Sequence, residues 1–266
     1  MFKIKRKDFY SKIREIDNPL LYKMLSYLDP ARLISLIRFY DLFSKIEDFS
    51  FNDHIKIAVI SGSLSEPELI FFNNSSVDCL CFDENTKPGE SQFWDLNLDW
   101  SEAQYSDFHK KYDLVLCEQV FEHIPNPEKA LKNMKYLLKD RAMIHISVPS
   151  INGIHTDPYY FTAGYHKRML SYLAKKVGGF EKIDCESWGS KKAVSMYALI
   201  DWSPLVASGD LRDSLYISSK FFNLKNFVKY FYHKVKYNFQ SIWFYSKRDY
   251  PVIAWILLKK NKKQNS

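Results

Sequence analysis

The period of the apolar positions changes near residue 54, and that change divides the chain. Between residues 8 and 50 they recur every three to four positions, through Leu21, Met24, Leu25 and Leu28, then through Leu33, Leu36, Ile37, Tyr40, Leu42 and Phe43. This is the spacing of helices with one buried face. Asp29-Pro30 marks the break between them, because proline in a first helical turn forfeits no needed donor. From His54 onward short β-branched runs take over: Ile55–Ile60, Val77–Phe82, Tyr112–Cys117 and Ala142–Val148. Helix-like stretches at Glu66–Asn73, Ser101–Lys110 and Glu128–Lys139 separate them. A helix over Lys167–Val177, a Gly178-Gly179 stop and a strand over Phe180–Trp188 follow. Strands alternating with helices predict βαβ units and a parallel sheet covered on both faces.

The alternation fails over 190–248. Ala193–Val206 is apolar, and Ser214–Tyr245 is basic and aromatic at helical spacing. Strand character returns at Tyr250–Leu258, where Pro251 is tolerable at a strand start. The expected fold is α/β, a Rossmann-like doubly wound sheet, mostly parallel with the last strand antiparallel. Its expected parts are an N-terminal helical extension (1–53), the sheet domain (54–189 with 249–260), a helical insert before the last strand (190–248) and a frayed tail (261–266).

Composition sharpens this picture. An apolar fraction of 46% in 266 residues excludes a disordered chain. Eight Gly and ten Pro exclude collagen and flexible-linker classes, and four Cys exclude a disulfide scaffold. Cys79, Cys81, Cys117 and Cys185 lack metal-ligand spacing and read as small packed hydrophobes in a reducing cytoplasm. The net charge of +7 is local. Residues 211–266 hold twelve Lys and Arg against two Asp, a net +10, and leave −3 elsewhere. The basic N-terminus has no apolar run after it, unlike a signal peptide, and Val252–Leu258 is far short of a membrane span. The expected location is cytoplasmic.

In a doubly wound sheet ligands bind beyond the carboxyl ends of the strands. The first strand ends in Ser61-Gly-Ser-Leu-Ser-Glu-Pro-Glu68, where Ser65 and Glu68 have capping-box spacing ahead of a helix. Gly62 and Ser63 there suit a nucleotide-type turn or an ordinary β–α turn. The second strand ends in Asp83-Glu84, carboxylates placed either to accept ribose hydroxyls or to cap a helix. Asp95 and Leu96 suit an adenine amino group and ring face, or a solvated loop.

The block Tyr112-Asp-Leu-Val-Leu-Cys-Glu-Gln-Val-Phe-Glu-His-Ile-Pro-Asn-Pro-Glu-Lys-Ala-Leu131, with the strand order before it, resembles the class I S-adenosylmethionine-dependent methyltransferases. His155-Thr-Asp-Pro-Tyr-Tyr-Phe-Thr162 is similar to the segment before the substrate-side helix in small-molecule members of that family. The resemblance covers roughly 54–189 and 249–260. It implies S-adenosylmethionine as cofactor, with Gly62, Ser63 and Glu66 at its methionine part and Asp83 and Glu84 at the ribose. Asp95 and Leu96 would meet the adenine, and Glu118, Gln119 and Val120 would line the floor. The chain departs from the family at its glycine-rich loop. Ile60 takes the acidic place, Leu64 and Glu66 stand where glycines belong, and Glu66 is the candidate replacement acid.

Methyl transfer to a hydroxyl or amine needs alignment, water exclusion and a base. His155 and His123 are the candidate bases, because imidazole titrates near neutrality. His123 also suits a cap of the following helix, and His155 a structural hydrogen bond. Tyr159, Tyr160 and Tyr165 line the expected acceptor side, or simply pack. His145, alternating inside a strand, reads as core. No Asn/Asp-Pro-Pro-Tyr/Phe or Pro-Cys motif is present, which disfavours nucleic acid as acceptor. No clustered carboxylates or histidines suggest a metal. A small-molecule or glycan acceptor is expected, with a sugar hydroxyl or lipid-linked group preferred. The aromatics from Phe221 to Tyr245, interleaved with Lys220, Lys225, Lys229, Lys234 and Lys236, read as a lid or homodimer face, a peripheral membrane contact through 214–248, or a stacking surface for nucleic acid. The competing reading of the whole chain is an inactive Rossmann-like protein whose insert binds an anionic membrane or a protein partner.

Overall fold

The computed structural model describes residues 30–81, 92–93, 96–101, 103–151, 159–189 and 252–262. Among the described residues seven strands form one sheet, in the order β3-β2-β1-β4-β5-β7-β6. They are β1 (Lys56–Ile60), β2 (Ser76–Cys81), β3 (Gln92–Phe93), β4 (Tyr112–Glu118), β5 (Leu138–Pro149), β6 (Phe180–Trp188) and β7 (Ile253–Lys260). β1, β2, β3, β4 and β5 pair in parallel, and β7 runs antiparallel to both β5 and β6. The expected mostly parallel sheet with an antiparallel last strand is therefore present. The chain order switches direction between β1 and β4, and this adjacency brings the ends of those two strands side by side.

Alternate residues of each strand feed opposite layers, as the pleat requires. Ile57, Val59, Leu114, Leu116, Trp255 and Leu257 face helix α1 (Pro30–Phe43). Ala58, Ile60, Val115, Cys117, Ile144 and Ile146 face α2 (Pro127–Leu137) and α3 (Lys167–Val177). Above the first face the aromatics gather: Phe39 lies 4.3 Å from Phe43, and Tyr40 stacks on Phe51 at 5.3 Å. Each fully buried side chain of this kind contributes about 1.5–3 kcal/mol.

α2 begins as its sequence implies. The Asn126 side chain accepts from Lys129 N at 3.0 Å, and Pro127 occupies the first turn. α3 ends at Gly178, whose φ of 67° is left-handed. Two expected helices are shorter and tighter than the spacing predicts. Glu66–Asn73 is a 3₁₀ turn over Pro67–Phe71, and Ser101–Lys110 is a 3₁₀ turn over Ala103–Phe108. In the first, the capping box does not form: Glu68 turns inward, and Ser65 pairs with Ser63 at 2.6 Å. β5 starts four residues early because the chain leaves α2 directly into the sheet. The expected first helix, through Leu28, and the insert 190–248 lie outside the described residues.

Candidate active site

β1 and β4 end in strained turns at adjacent positions of the sheet edge. Ser61, directly after β1, has φ +52°, and Gln119, directly after β4, has φ +58°. Non-glycine residues rarely adopt this region, and such strain gathers at functional sites. The Ser61 N–H donates to Leu80 O at 2.8 Å and the Gln119 N–H to Ser147 O at 2.8 Å, so each turn is locked to the neighbouring strand. Gly62 follows in a crowded place. A Cβ there would lie 2.6 Å from Val59 Cγ1 and 2.7 Å from Glu66 Oε1. The single glycine of the loop therefore stands where the Glu66 carboxylate crosses the backbone.

A guanidinium from α1 organises the acids around this loop. Arg32 Nη2 donates to Glu66 Oε2 at 2.8 Å and to Glu68 Oε2 at 2.7 Å, and Nη1 donates to Glu118 Oε2 at 3.1 Å. Glu118 also accepts from His145 Nδ1 at 2.6 Å and from the Ser147 hydroxyl. Burial alone would raise the Glu118 carboxyl, but His145, Arg32 and Ser147 together outweigh it and hold it below the ordinary carboxylate value. Burial pushes Glu68 up to about 8, against the attraction of Arg32. Burial likewise raises Glu66. For Arg32 burial acts downward, yet Glu68, Glu118 and Glu66 raise it above its usual value. The cluster is thus an ionised Glu118 and a cationic Arg32 with a neutral Glu68. Among the described residues, the buried Glu68 Oε1 has no hydrogen-bond partner.

The same edge continues toward α3. Leu96 and Val120 pack in one apolar cluster with Ile60, Leu80, Phe121 and Tyr165. Asn133 of α2 pins the Leu96 segment, donating to Leu96 O and Leu98 O, each at 2.7 Å. The 3₁₀ turn Phe121–His123 carries Glu122, which is 1% exposed. Burial lifts its carboxyl to about 7. His123 Nδ1 donates to Tyr159 O at 2.6 Å, and the Phe161 N–H donates to Glu122 O at 2.9 Å. Tyr165 donates to Phe121 O at 3.3 Å, and burial pushes its hydroxyl up to about 12.

Of the residues expected from sequence, Gly62, Ser63 and Glu66 therefore meet Glu118, Gln119 and Val120 at one edge, with Leu96 in the apolar cluster beside Val120. Tyr160 and Tyr165 lie around Glu122 and His123, while the Tyr159 side chain is exposed. The Glu118 carboxylate, expected to line the floor, is hydrogen-bonded by Arg32, His145 and Ser147. His145 is buried, as expected, but it is a member of this polar network. Asp83, Glu84, Asp95 and His155 lie outside the described residues. The positions of Arg32 and of the buried Glu68 and Glu122 beside these residues were not legible in the sequence. Their one signal is a charged side chain in an otherwise apolar or capping position.

A family described as "Methyltransferase domain" matches residues 40–180. A ubiquinone biosynthesis O-methyltransferase from Glaesserella parasuis serovar 5 (strain SH0165) is 33% identical over 95 residues, a stretch covering 33% of this chain. The match spans 39% of that relative's own length. Among solved structures, one described as a sarcosine dimethylglycine methyltransferase from Galdieria sulphuraria superposes with a TM-score of 0.50 at 16% identity, covering 90% of this chain and 91% of that one. The CurJ carbon methyltransferase superposes with a TM-score of 0.50 at 8% identity, covering 90% of this chain and 57% of that one. At such identities these two speak for the fold alone.

Proposed function

This chain belongs to the class I S-adenosylmethionine-dependent methyltransferases, and on that premise we propose that it transfers a methyl group from S-adenosylmethionine to a hydroxyl of a small polar acceptor. The observation that carries the reading is the pair of strained turns at Ser61 and Gln119, side by side within the span that the family matches. The expected sugar, glycan or lipid-linked hydroxyl falls within this acceptor class, and the curated relative's O-methyltransferase name favours oxygen over nitrogen.

The residues present fit the cofactor. Its methionine end carries a cationic ammonium beside a carboxylate, and a sulfonium, and the partly exposed Glu66 carboxyl next to Gly62 is the acid of the β1–β4 edge available to the cationic groups. When bound, the cofactor supplies an electrophilic methyl group on sulfur. Gly62, Ser63 and Glu66 would hold its methionine part, Asp83 and Glu84 the ribose, and Asp95 with Leu96 the adenine. Gln119 and Val120 would form the floor. Arg32 and His145 act one step back by fixing Glu66 and Glu118. The protein's contribution is then alignment and a dry, preorganised setting, effects worth several kcal/mol.

The reading is tested by following S-adenosylhomocysteine release when the full chain is given S-adenosylmethionine and a panel of hydroxyl acceptors. Asp83→Ala is expected to weaken cofactor affinity at least tenfold. Unchanged affinity in that variant would remove Asp83 from the ribose site.

A further inference from the structure

The carboxyl group of Glu122 has no part in the cofactor site as described above, and its situation is unusual. It is 1% exposed, it lies four residues beyond the β4 floor, and its Oε2 has no hydrogen-bond partner among the described residues. A buried carboxyl oxygen without a partner costs free energy that a purely structural glutamate would avoid. The groups facing it are polar and few. His123 Nε2 lies 3.8 Å from Oε1 on the same turn. The Tyr160 and Tyr165 hydroxyls, from the segment ahead of α3, are each raised first by burial and further by Glu122, and the Cys117 thiol of β4 is raised by burial, then by Glu118, then by Glu122. Among the described residues no Lys or Arg pairs with it.

We propose that Glu122 is the catalytic residue that takes the proton from the acceptor hydroxyl during methyl transfer. The inference rests on the methyltransferase reading and deepens it. The acceptor O–H bond breaks and its proton passes to the Glu122 carboxylate. The freed oxygen pair forms the bond to the methyl carbon, the carbon–sulfur bond breaks, and its electron pair stays on sulfur. Glu122 then returns the proton to water.

Geometry supports this over the histidine of the same turn. His123 Nδ1 is spent on Tyr159 O, which makes His123 a positioning residue for the segment that covers Glu122. That cover lies at the surface: Tyr159 and Phe161 are 46% and 51% exposed, and the His123 Nδ1 to Tyr159 O and Phe161 N–H to Glu122 O bonds join it to the turn. Displacing it brings an acceptor to the unpartnered oxygen. A carboxyl titrating near 7 suits an acidic hydroxyl. Proton transfer from a phenol with a pKa of about 10 is uphill by roughly three decades, against roughly nine for a hydroxyl as weak as water. A phenol is accordingly the right probe.

The test uses the full chain saturated with S-adenosylhomocysteine and titrated with 4-nitrophenol, whose phenolate is coloured. Calorimetric binding of the cofactor product comes first, and its failure would count against the methyltransferase reading alone. With product bound, the ionisation midpoint of bound 4-nitrophenol is expected to lie at least one pH unit higher in the wild type than in Glu122→Gln, because an adjacent carboxylate disfavours a second negative charge. Glu122→Asp, with a shorter reach, should fall between them. Equal midpoints in the three proteins, or no 4-nitrophenol binding to the product-loaded wild type, would overturn the proposal. Thermal melts confirm that both variants are folded.

Discussion

Arg32 in the first turn of α1 and Glu118 at the end of β4, 86 positions apart in sequence, meet at 3.1 Å. The contact fastens the helix to the sheet edge formed by β1 and β4, and together with His145, the larger influence, it holds the buried Glu118 carboxyl below its ordinary value. Two further carboxyl groups, of Glu66 and Glu68, share the same guanidinium.

Arg32→Met keeps an unbranched apolar stem but removes the guanidinium, and leaves Glu118 as a buried charge with one cation removed. Loss of one partner of a buried pair costs about 3–5 kcal/mol. Urea unfolding of the variant should show that loss at pH 8. It should be smaller at pH 5, where Glu68, pushed up to about 8 by burial, is protonated and less charge is stranded.

Glu122→Gln should change how stability depends on pH. The folded carboxyl titrates near 7, above the ordinary value of 4.5, so the folded state binds the proton more tightly than the unfolded one. Wild-type stability contributed by this group is full below 4.5 and is lost as pH rises toward 7. The difference amounts to about 3 kcal/mol at 1.36 kcal/mol per unit. The glutamine variant should therefore gain on the wild type by about that much at pH 8 and by little at pH 4.5. Parallel melts that never diverge would contradict the buried, unpartnered carboxyl.

Glu118→Gln should behave in the opposite sense. Its folded carboxyl is held below the ordinary value, so its contribution is present above 4.5 and disappears as pH falls through the lower folded value. Hydrogen bonds to a charged group are worth about 1.5–3 kcal/mol. The variant should be less stable than the wild type by at least that at pH 7, with the gap closing in acid.

Gly62→Ala places a methyl group against Val59 and the Glu66 carboxylate. Overpacking of this kind costs about 1–3 kcal/mol. Because Glu66 must move, cofactor affinity measured by calorimetry should fall by about tenfold, while the sheet, followed by circular dichroism, stays intact.

Much of the sheet was legible because its signals are local. The β-branched runs at Ile57–Ile60 and Leu114–Cys117 pack on both faces, and the Asn126-Pro127 start of α2 is written in adjacent residues. The 3₁₀ turn at Pro67–Phe71 was not legible. Ser65 and Glu68 have capping-box spacing, but Glu68 answers to Arg32, 36 positions away, and long-range pairing overrode the local pattern. The polar network was hidden for the same reason. His145 reads as a lone histidine in a strand until β4 and β5 are aligned, which sets it beside Leu116 and its ring against Glu118. Glu122 was masked by its neighbour, since a Glu-His pair draws attention to the imidazole.

The central claim is that the edge formed by β1 and β4 holds S-adenosylmethionine. Calorimetric titration of the full chain with S-adenosylmethionine at pH 7.5 tests it most directly. The account predicts one site per chain with a Kd of about 100 μM or tighter, and weaker binding in Gly62→Ala. The absence of any binding heat at millimolar cofactor, from a chain shown to be folded, would contradict it.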